Sequence, residues 1–337
     1  MIQTYLQNLV DANEIPGSVL AITKDGKLET LQSYGSYKDR NNTTSCVRKD
    51  TMFDVASLTK VLATLPAILY LQQANQLSID DSVQKHLPKF KKSDVTIRHL
   101  LQHNSGLPAG LSYKIRTDSR DVLDEIMETE LISVPGQQTT YSDLGMILLG
   151  KIVEEISGHD LHKFSEKYLF EPWKMNNTTF LPGKQLLETI ASTELFQGNY
   201  IQGKVHDEKA HQLGGVSGSA GLFSDALDIV AYANYWLYPE TQTVLTKKSM
   251  NLAREDTHQS RGLGFEVWQK SGKPLSCGEN WSKGSFGHTG FTGTSLWVDP
   301  EHNLATVFLT NIVHYGRNHR LNEIRKTLHT MIHDRFV

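Results

Sequence analysis

Residues 17–34 read GSVLAITKDGKLETLQSY. The run 17–22 is apolar with β-branched members, which suits a strand. Lys24-Asp25-Gly26-Lys27 then predicts a tight hairpin turn, because Asp-Gly accepts the positive φ angles that such turns need. Residues 27–34 return as the partner strand. Working outward, residues 1–12 suit a short amphipathic helix. From 58 to 169 the pattern is helical: Leu62, Leu65, Leu69 and Gln73 recur at helical spacing, as do Leu144, Leu148, Lys151 and Glu155. Turn-rich loops at 103–108 and 134–136 separate these helices.

Strands return at 263–268, 285–290, 294–299 and 304–310, with Asp299-Pro300-Glu301-His302-Asn303 as a turn between the last two. A final helix carries Leu321, Ile324, Leu328 and Met331 on its apolar face. Short connections imply an antiparallel sheet, which the N-terminal hairpin can join. The expected fold class is therefore α+β, an antiparallel sheet flanked by helices with an inserted helical region. The expected boundaries are 1–70 with 206–337 for the sheet domain and 71–205 for the insertion.

The chain has 337 residues, 39% hydrophobic and 21% charged, with a formal net charge of −3. That balance is globular and gives no electrostatic footprint for nucleic acid or anionic membrane. No stretch approaches a membrane span. The first residues, MIQTYLQNLVDANEIPGSV, lack the features of a secretory signal. A cytoplasmic home is expected, or one outside the cytoplasm if the natural chain is longer. Cys46 and Cys277 make no disulfide framework and read as unpaired thiols.

Three short runs carry chemistry. In Phe53-Asp54-Val55-Ala56-Ser57-Leu58-Thr59-Lys60, Ser57 and Lys60 are three apart, which on a helix puts the lysine amine within reach of the serine hydroxyl. A helix starting near Ser57 would also favour negative charge there. In isolation the same pair fits a capped, solvated helix start. Tyr141-Ser142-Asp143 precedes an apolar run; the tyrosine suits a phenolic general base if a cation lies beside it, and equally a core residue next to a helix N-cap. His288-Thr289-Gly290 falls on an expected strand. Its glycine permits close approach of a substrate backbone, and its histidine or threonine can hold a substrate carboxylate; a glycine-rich turn is the plainer reading.

Taken together, in this order and spacing, the three runs resemble those of the serine penicillin-recognising superfamily: a Ser-x-x-Lys, a Tyr-x-Asn and a Lys/His-Thr-Gly. Leu100 to Pro108 (LLQHNSGLP) and Leu213 to Asp228 (LGGVSGSAGLFSDALD) resemble hallmark loops of its class C β-lactamase branch. The likeness spans roughly residues 15 to 312. It implies that Ser57 is acylated, that Lys60 helps deprotonate it, and that Tyr141 is the general base and later the acid toward the leaving group. It also implies an oxyanion hole from the N–H groups of Ser57 and Phe291, with Asp143, His288, Thr289 and Gly290 binding substrate.

Two departures from that pattern stand out. Asp143 replaces an asparagine whose amide could donate to a substrate carbonyl, and a carboxylate beside Lys60 would keep that lysine protonated. His288 replaces the lysine of β-lactamases and is mostly neutral near pH 7. Both point away from an efficient β-lactamase. The expected activity is acyl-enzyme hydrolysis of a small amide, peptide or ester, such as a peptidoglycan-derived fragment cut by a DD-peptidase, amidase or esterase. The alternatives are a true class C-type β-lactamase, or a non-enzymatic penicillin-binding sensor that acylates and stalls.

Val205-His206-Asp207 and the GGVSGSAGLFS run resemble a narrower subgroup linked to bacterial cell-wall turnover, including muramyl-peptide amidases. His206, Asp207 and His211 show no further ligand pattern, so a loop salt bridge or substrate contact is expected in place of a metal site. No cofactor is expected. The expected partner is a small-molecule or peptide substrate.

Overall fold

The computed structural model describes residues 1–111, 116–117, 120–255, 259–272 and 274–337. The helical reading of 58–169 therefore includes six residues, 112–115 and 118–119, outside the described set. Among the described residues the principal sheet has seven strands. They are β1 (Gly17–Lys24), β2 (Lys27–Lys38), β3 (Thr44–Cys46), β4 (Glu266–Val267), β5 (Phe286–Thr289), β6 (Ser295–Asp299) and β7 (Leu304–Thr310). Their order is β3-β2-β1-β7-β6-β5-β4, and each neighbouring pair is antiparallel.

The opening hairpin forms as read, with Asp25 at φ 50° and Gly26 at φ 74°. β1 lies in the middle of the sheet and is buried on both faces. Alternation sorts its side chains: Val19 and Ala21 enter one core with Val307 and Leu309, while Leu20 and Ile22 enter a second with Phe308. Helix α1 (Ile2–Asp11) and the C-terminal helix cover the second face through Leu6, Leu321, Ile324 and Leu328. Met331 is only partly buried beside them.

The first core continues without a break into the helical region. Helices α2 (Leu65–Gln73), α3 (Asp143–Ser157) and α4 (Ala226–Leu237) share it with β1, β6 and β7. Helix α4 packs across the centre of the sheet, a role that the sequence reading did not give it. The C-terminal helix is α5 (Leu321–Phe336).

The expected strand 263–268 shrinks to Glu266–Val267. Gly264 sits at φ 82°, outside strand geometry, and Gly262 lies too close to the Ala253 carbonyl to carry a side chain. Cys46 is exposed and Cys277 buried, and both are free thiols. No described helix is long and apolar enough to cross a membrane.

Candidate active site

Ser57 sits on a strained turn. Strand Phe53–Asp54 leads into Ala56, which holds φ 48°, a conformation that costs an L-residue about 1–2 kcal/mol. The surroundings fix it there. Asp54 Oδ1 accepts from the Ala56 N–H at 2.9 Å, and Thr59 Oγ1 donates to the Ala56 carbonyl at 2.7 Å. From across the sheet, Thr292 Oγ1 donates to the Asp54 carbonyl at 2.7 Å and Thr294 Oγ1 to the Val55 carbonyl at 2.9 Å. A short 3₁₀ turn, Ala56–Leu58, and a π-helical turn, Lys60–Thr64, then join the site to α2.

The expected Ser57–Lys60 contact exists, although the segment is not α-helical. Lys60 Nζ donates to Ser57 Oγ at 2.9 Å and to the Ser219 carbonyl at 2.7 Å, and it pairs with Asp143 Oδ1 at 2.8 Å. It also lies 5.1 Å from the centre of the Tyr141 ring. Burial disfavours the ammonium, but Asp143 and Tyr141 outweigh it and raise the Lys60 pKa above the usual lysine value. Lys60 is therefore a fixed cation.

Asp143 opens α3 and bridges two lysines. Its Oδ2 meets Lys209 Nζ at 3.4 Å, and Lys209 meets Asp207 Oδ2 at the same distance. Burial opposes the Asp143 carboxylate, yet Lys60 and Lys209 together hold its pKa below the ordinary range. Lys209 was missed in the sequence, where it sits among the charges of HDEKAH and looks like one more surface residue. The structure reveals a chain of alternating charge, Lys60–Asp143–Lys209–Asp207.

Tyr141 stands between His103 and His288, with ring centres at 4.6 and 5.9 Å. His103 accepts the Ser142 N–H on Nδ1 at 3.2 Å. Burial, then Arg261 and Lys60, push the pKa of both histidines well below the usual value. His288 is thus neutral. Its Nδ1 lies 2.8 Å from the Thr289 carbonyl and donates to it, so Nε2 carries the lone pair. It supplies no charge for a carboxylate.

The cation at this position is Arg261, which the sequence reading did not single out. One nitrogen pairs with Glu266 at 2.9 Å, the guanidinium carbon lies 5.4 Å from the Tyr141 ring centre, and Nη1 is buried without a hydrogen-bond partner among the described residues.

These groups surround a cleft of about 340 Å³, lined by Ser57, Tyr141, Arg261, His288, Thr289 and Phe291. Neither the Ser57 nor the Phe291 N–H donates to a backbone carbonyl among the described residues. Gly290 also lines the cleft, and a side chain there would collide with the Val55 carbonyl and the Thr294 hydroxyl, so the glycine admits the Ser57 turn.

His206, Asp207 and His211 do not converge. His206 pairs with Glu194 at 3.0 Å and stacks near Phe291, Asp207 caps the helix Glu208–Gln212, and His211 meets Arg116 at 3.2 Å. A larger hollow of about 640 Å³ beside Arg116, Tyr200 and His211 contains neither Ser57 nor Lys60.

The family model described as Beta-lactamase matches residues 2–330. The N-acetylmuramyl-L-alanine amidase of Bacillus subtilis (strain 168) is 32% identical, over 89% of this chain and 78% of its own length. A putative D-alanyl-D-alanine carboxypeptidase of Salmonella agona (strain SL483) is 31% identical, over 92% and 82%. Among solved structures, EstCE1, a hydrolase with promiscuous acyltransferase activity, superposes with a TM-score of 0.80 at 23% identity, covering 97% of both chains. A class C beta lactamase from Rhodobacter sphaeroides gives 0.77 at 17% identity, covering 99% of both.

Proposed function

The chain belongs to the Beta-lactamase family and is a serine hydrolase, and from that premise we propose that it cleaves a small amide or peptide bond, in a peptidoglycan-derived fragment, through an acyl-enzyme on Ser57. The observation that carries this reading is the Lys60 ammonium, fixed between Asp143 and Ser57 Oγ beneath an open cleft. A lysine held in its charged form cannot take the serine proton. That leaves Tyr141, whose ring centre lies 5.1 Å from the Lys60 ammonium, as the base.

In the proposed reaction the Ser57 proton moves to the Tyr141 oxygen while Oγ bonds to the substrate carbonyl carbon. Acting as the base, Tyr141 reacts as its phenolate, whose negative charge faces the Lys60 ammonium and is neutralised as the Ser57 proton arrives. The oxyanion accepts from the Ser57 and Phe291 N–H groups, each typically worth a few kcal/mol in the transition state. Tyr141 returns the proton to the leaving amine as the C–N bond breaks, and water then hydrolyses the ester. Two relatives at 32% and 31% identity are named N-acetylmuramyl-L-alanine amidase and putative D-alanyl-D-alanine carboxypeptidase, and these names support that substrate class. A neutral His288 and an acceptor-only Asp143 weigh against efficient β-lactam turnover.

Intact mass and product analysis after incubation with an N-acetylmuramyl-L-alanine peptide, a D-alanyl-D-alanine peptide, a nitrophenyl ester and a penicillin tests the proposal. Amide or peptide products and ester turnover are expected, with slow or no penicillin hydrolysis. Efficient penicillin hydrolysis without peptide cleavage would overturn it.

A further inference from the structure

At the end of β6 remote from the cleft, four polar side-chain atoms converge. Asp299 ends the strand, His302 follows in the turn to β7, His333 comes from the last turns of α5, and Ser282 precedes β5. Asp299 Oδ2 lies 3.1 Å from His302 Nδ1 and 3.8 Å from His333 Nε2. Ser282 Oγ is 2.8 Å from both Asp299 Oδ2 and His302 Nδ1. The three potential ligand atoms of Asp299, His302 and His333 all fall within 4.8 Å of one another. A tetrahedral zinc with arms near 2.0–2.1 Å holds its donors about 3.3 Å apart, so small side-chain shifts would close this set around one ion.

We propose that Asp299, His302 and His333, with Ser282 or water in the fourth position, form a binding site for a borderline divalent cation such as zinc. Hydrogen bonding alone accounts for Asp299, His302 and Ser282. It does not account for His333, which is 8% exposed and whose Nε2 faces Asp299 with no hydrogen-bond partner among the described residues. The site is also built from outside its first layer of donors. Asp299 Oδ1 accepts the Glu301 N–H at 3.0 Å and the His302 N–H at 3.3 Å, which turns Oδ2 toward the histidines. The His302 side chain is about a third exposed and gives an ion an entry path. One carboxylate, two imidazoles and a hydroxyl or water match the ligand preferences of zinc, and too few oxygens are present for calcium.

The site is structural in placement. α5 runs along β6, with Arg325 bonded to the Thr294 carbonyl, His329 to Ser295 Oγ and His333 facing Asp299. The spacing i, i+4, i+8 puts all three on one stripe, so an ion would pin the last turn of α5 to the strand.

The test uses the full chain, stripped with chelator and desalted. Calorimetric titration with zinc should show one ion per chain, and cobalt should give the visible absorption of a tetrahedral site. His302→Ala and His333→Leu should each weaken zinc binding at least roughly tenfold while ester turnover stays at the wild-type level. Zinc should raise the melting temperature of the wild type and not of His302→Ala. No stoichiometric binding, or binding unchanged in a folded, ester-active His302→Ala variant, would overturn the proposal. His302 lies in a partly exposed turn, so this variant keeps the test valid if His333→Leu fails to fold. Either result leaves the acyl-enzyme reading untouched.

Discussion

The floor of the cleft and its rim are built on opposite principles. On the floor, Lys60 is buried with Ser57, Asp143 and the Ser219 carbonyl all in contact, and the carbonyls of Asp54, Val55 and Ala56 are each claimed by a threonine. On the rim, among the described residues, Arg261 leaves one nitrogen unpaired and both His319 ring nitrogens lack hydrogen-bond partners, and Phe291 is about half exposed. A preorganised floor spends no energy rearranging as charge develops. The unfilled nitrogens of the rim are placed to pair with a ligand. Under the proposed function the floor cleaves the bond and the rim chooses the substrate, and four measurements can break or sharpen that contrast.

The largest effect should come from Ser57→Ala, which removes the proposed nucleophile and leaves the turn intact. Ester turnover is expected to fall by roughly ten-thousand-fold or more, with no covalent adduct by mass. Near-full turnover in this variant would remove the floor from the chemistry.

Next is the lysine–aspartate chain. Asp143→Asn leaves two buried ammonium groups, Lys60 and Lys209, with their shared anion gone, and kcat should drop by about a hundredfold. Adding Lys209→Met removes one of the two cations, and the double variant should recover to within about tenfold of wild type. Purely multiplicative losses would show that Lys209 is not coupled to the site.

Arg261→Gln probes the rim. For a peptide carrying a free carboxylate, KM should rise about tenfold with kcat little changed, while a neutral nitrophenyl ester is unaffected. Equal losses on both substrates would move Arg261 from the rim to the floor.

The smallest effect concerns stability away from the cleft. Hydrogen bonds from His206 and Arg317 lower the Glu194 pKa to about 2. A depressed carboxylate stabilises the fold above its unfolded pKa and loses that contribution as pH falls. Glu194→Gln should therefore cost about 1–2 kcal/mol near neutral pH, allowing for partial exposure. The gap should close between about pH 5 and pH 2, as read by chemical denaturation at each pH.

Much of this site is written locally. Ser57 and Lys60, Tyr141 and Asp143, and His288 to Gly290 each sit within four residues of one another, and the Asp25-Gly26 turn declares its own hairpin. The parts that were not legible are those whose partners are distant. Lys209 acquires meaning only by meeting Asp143, and Arg261 only by reaching the Tyr141 ring. Asp299, His302 and His333 come together only when α5 lies along β6. Ala56 gives no sign that the chain will force it to a positive φ. Helix α4 was missed because, buried in the shared core, it lacks the polar face that marks a surface helix.

The pairing of β1 with β7 also has a consequence for biosynthesis. Gly17 to Lys24 wait for a partner that a ribosome adds about 290 residues later, a delay of roughly 15–60 s at ordinary elongation rates. Until then the nascent chain holds Ser57 and Lys60 without Gly290, Thr292 and Thr294, the residues that admit and tie down their turn. The turn that carries Ser57 can therefore be tied down only late in synthesis, once those C-terminal residues have emerged.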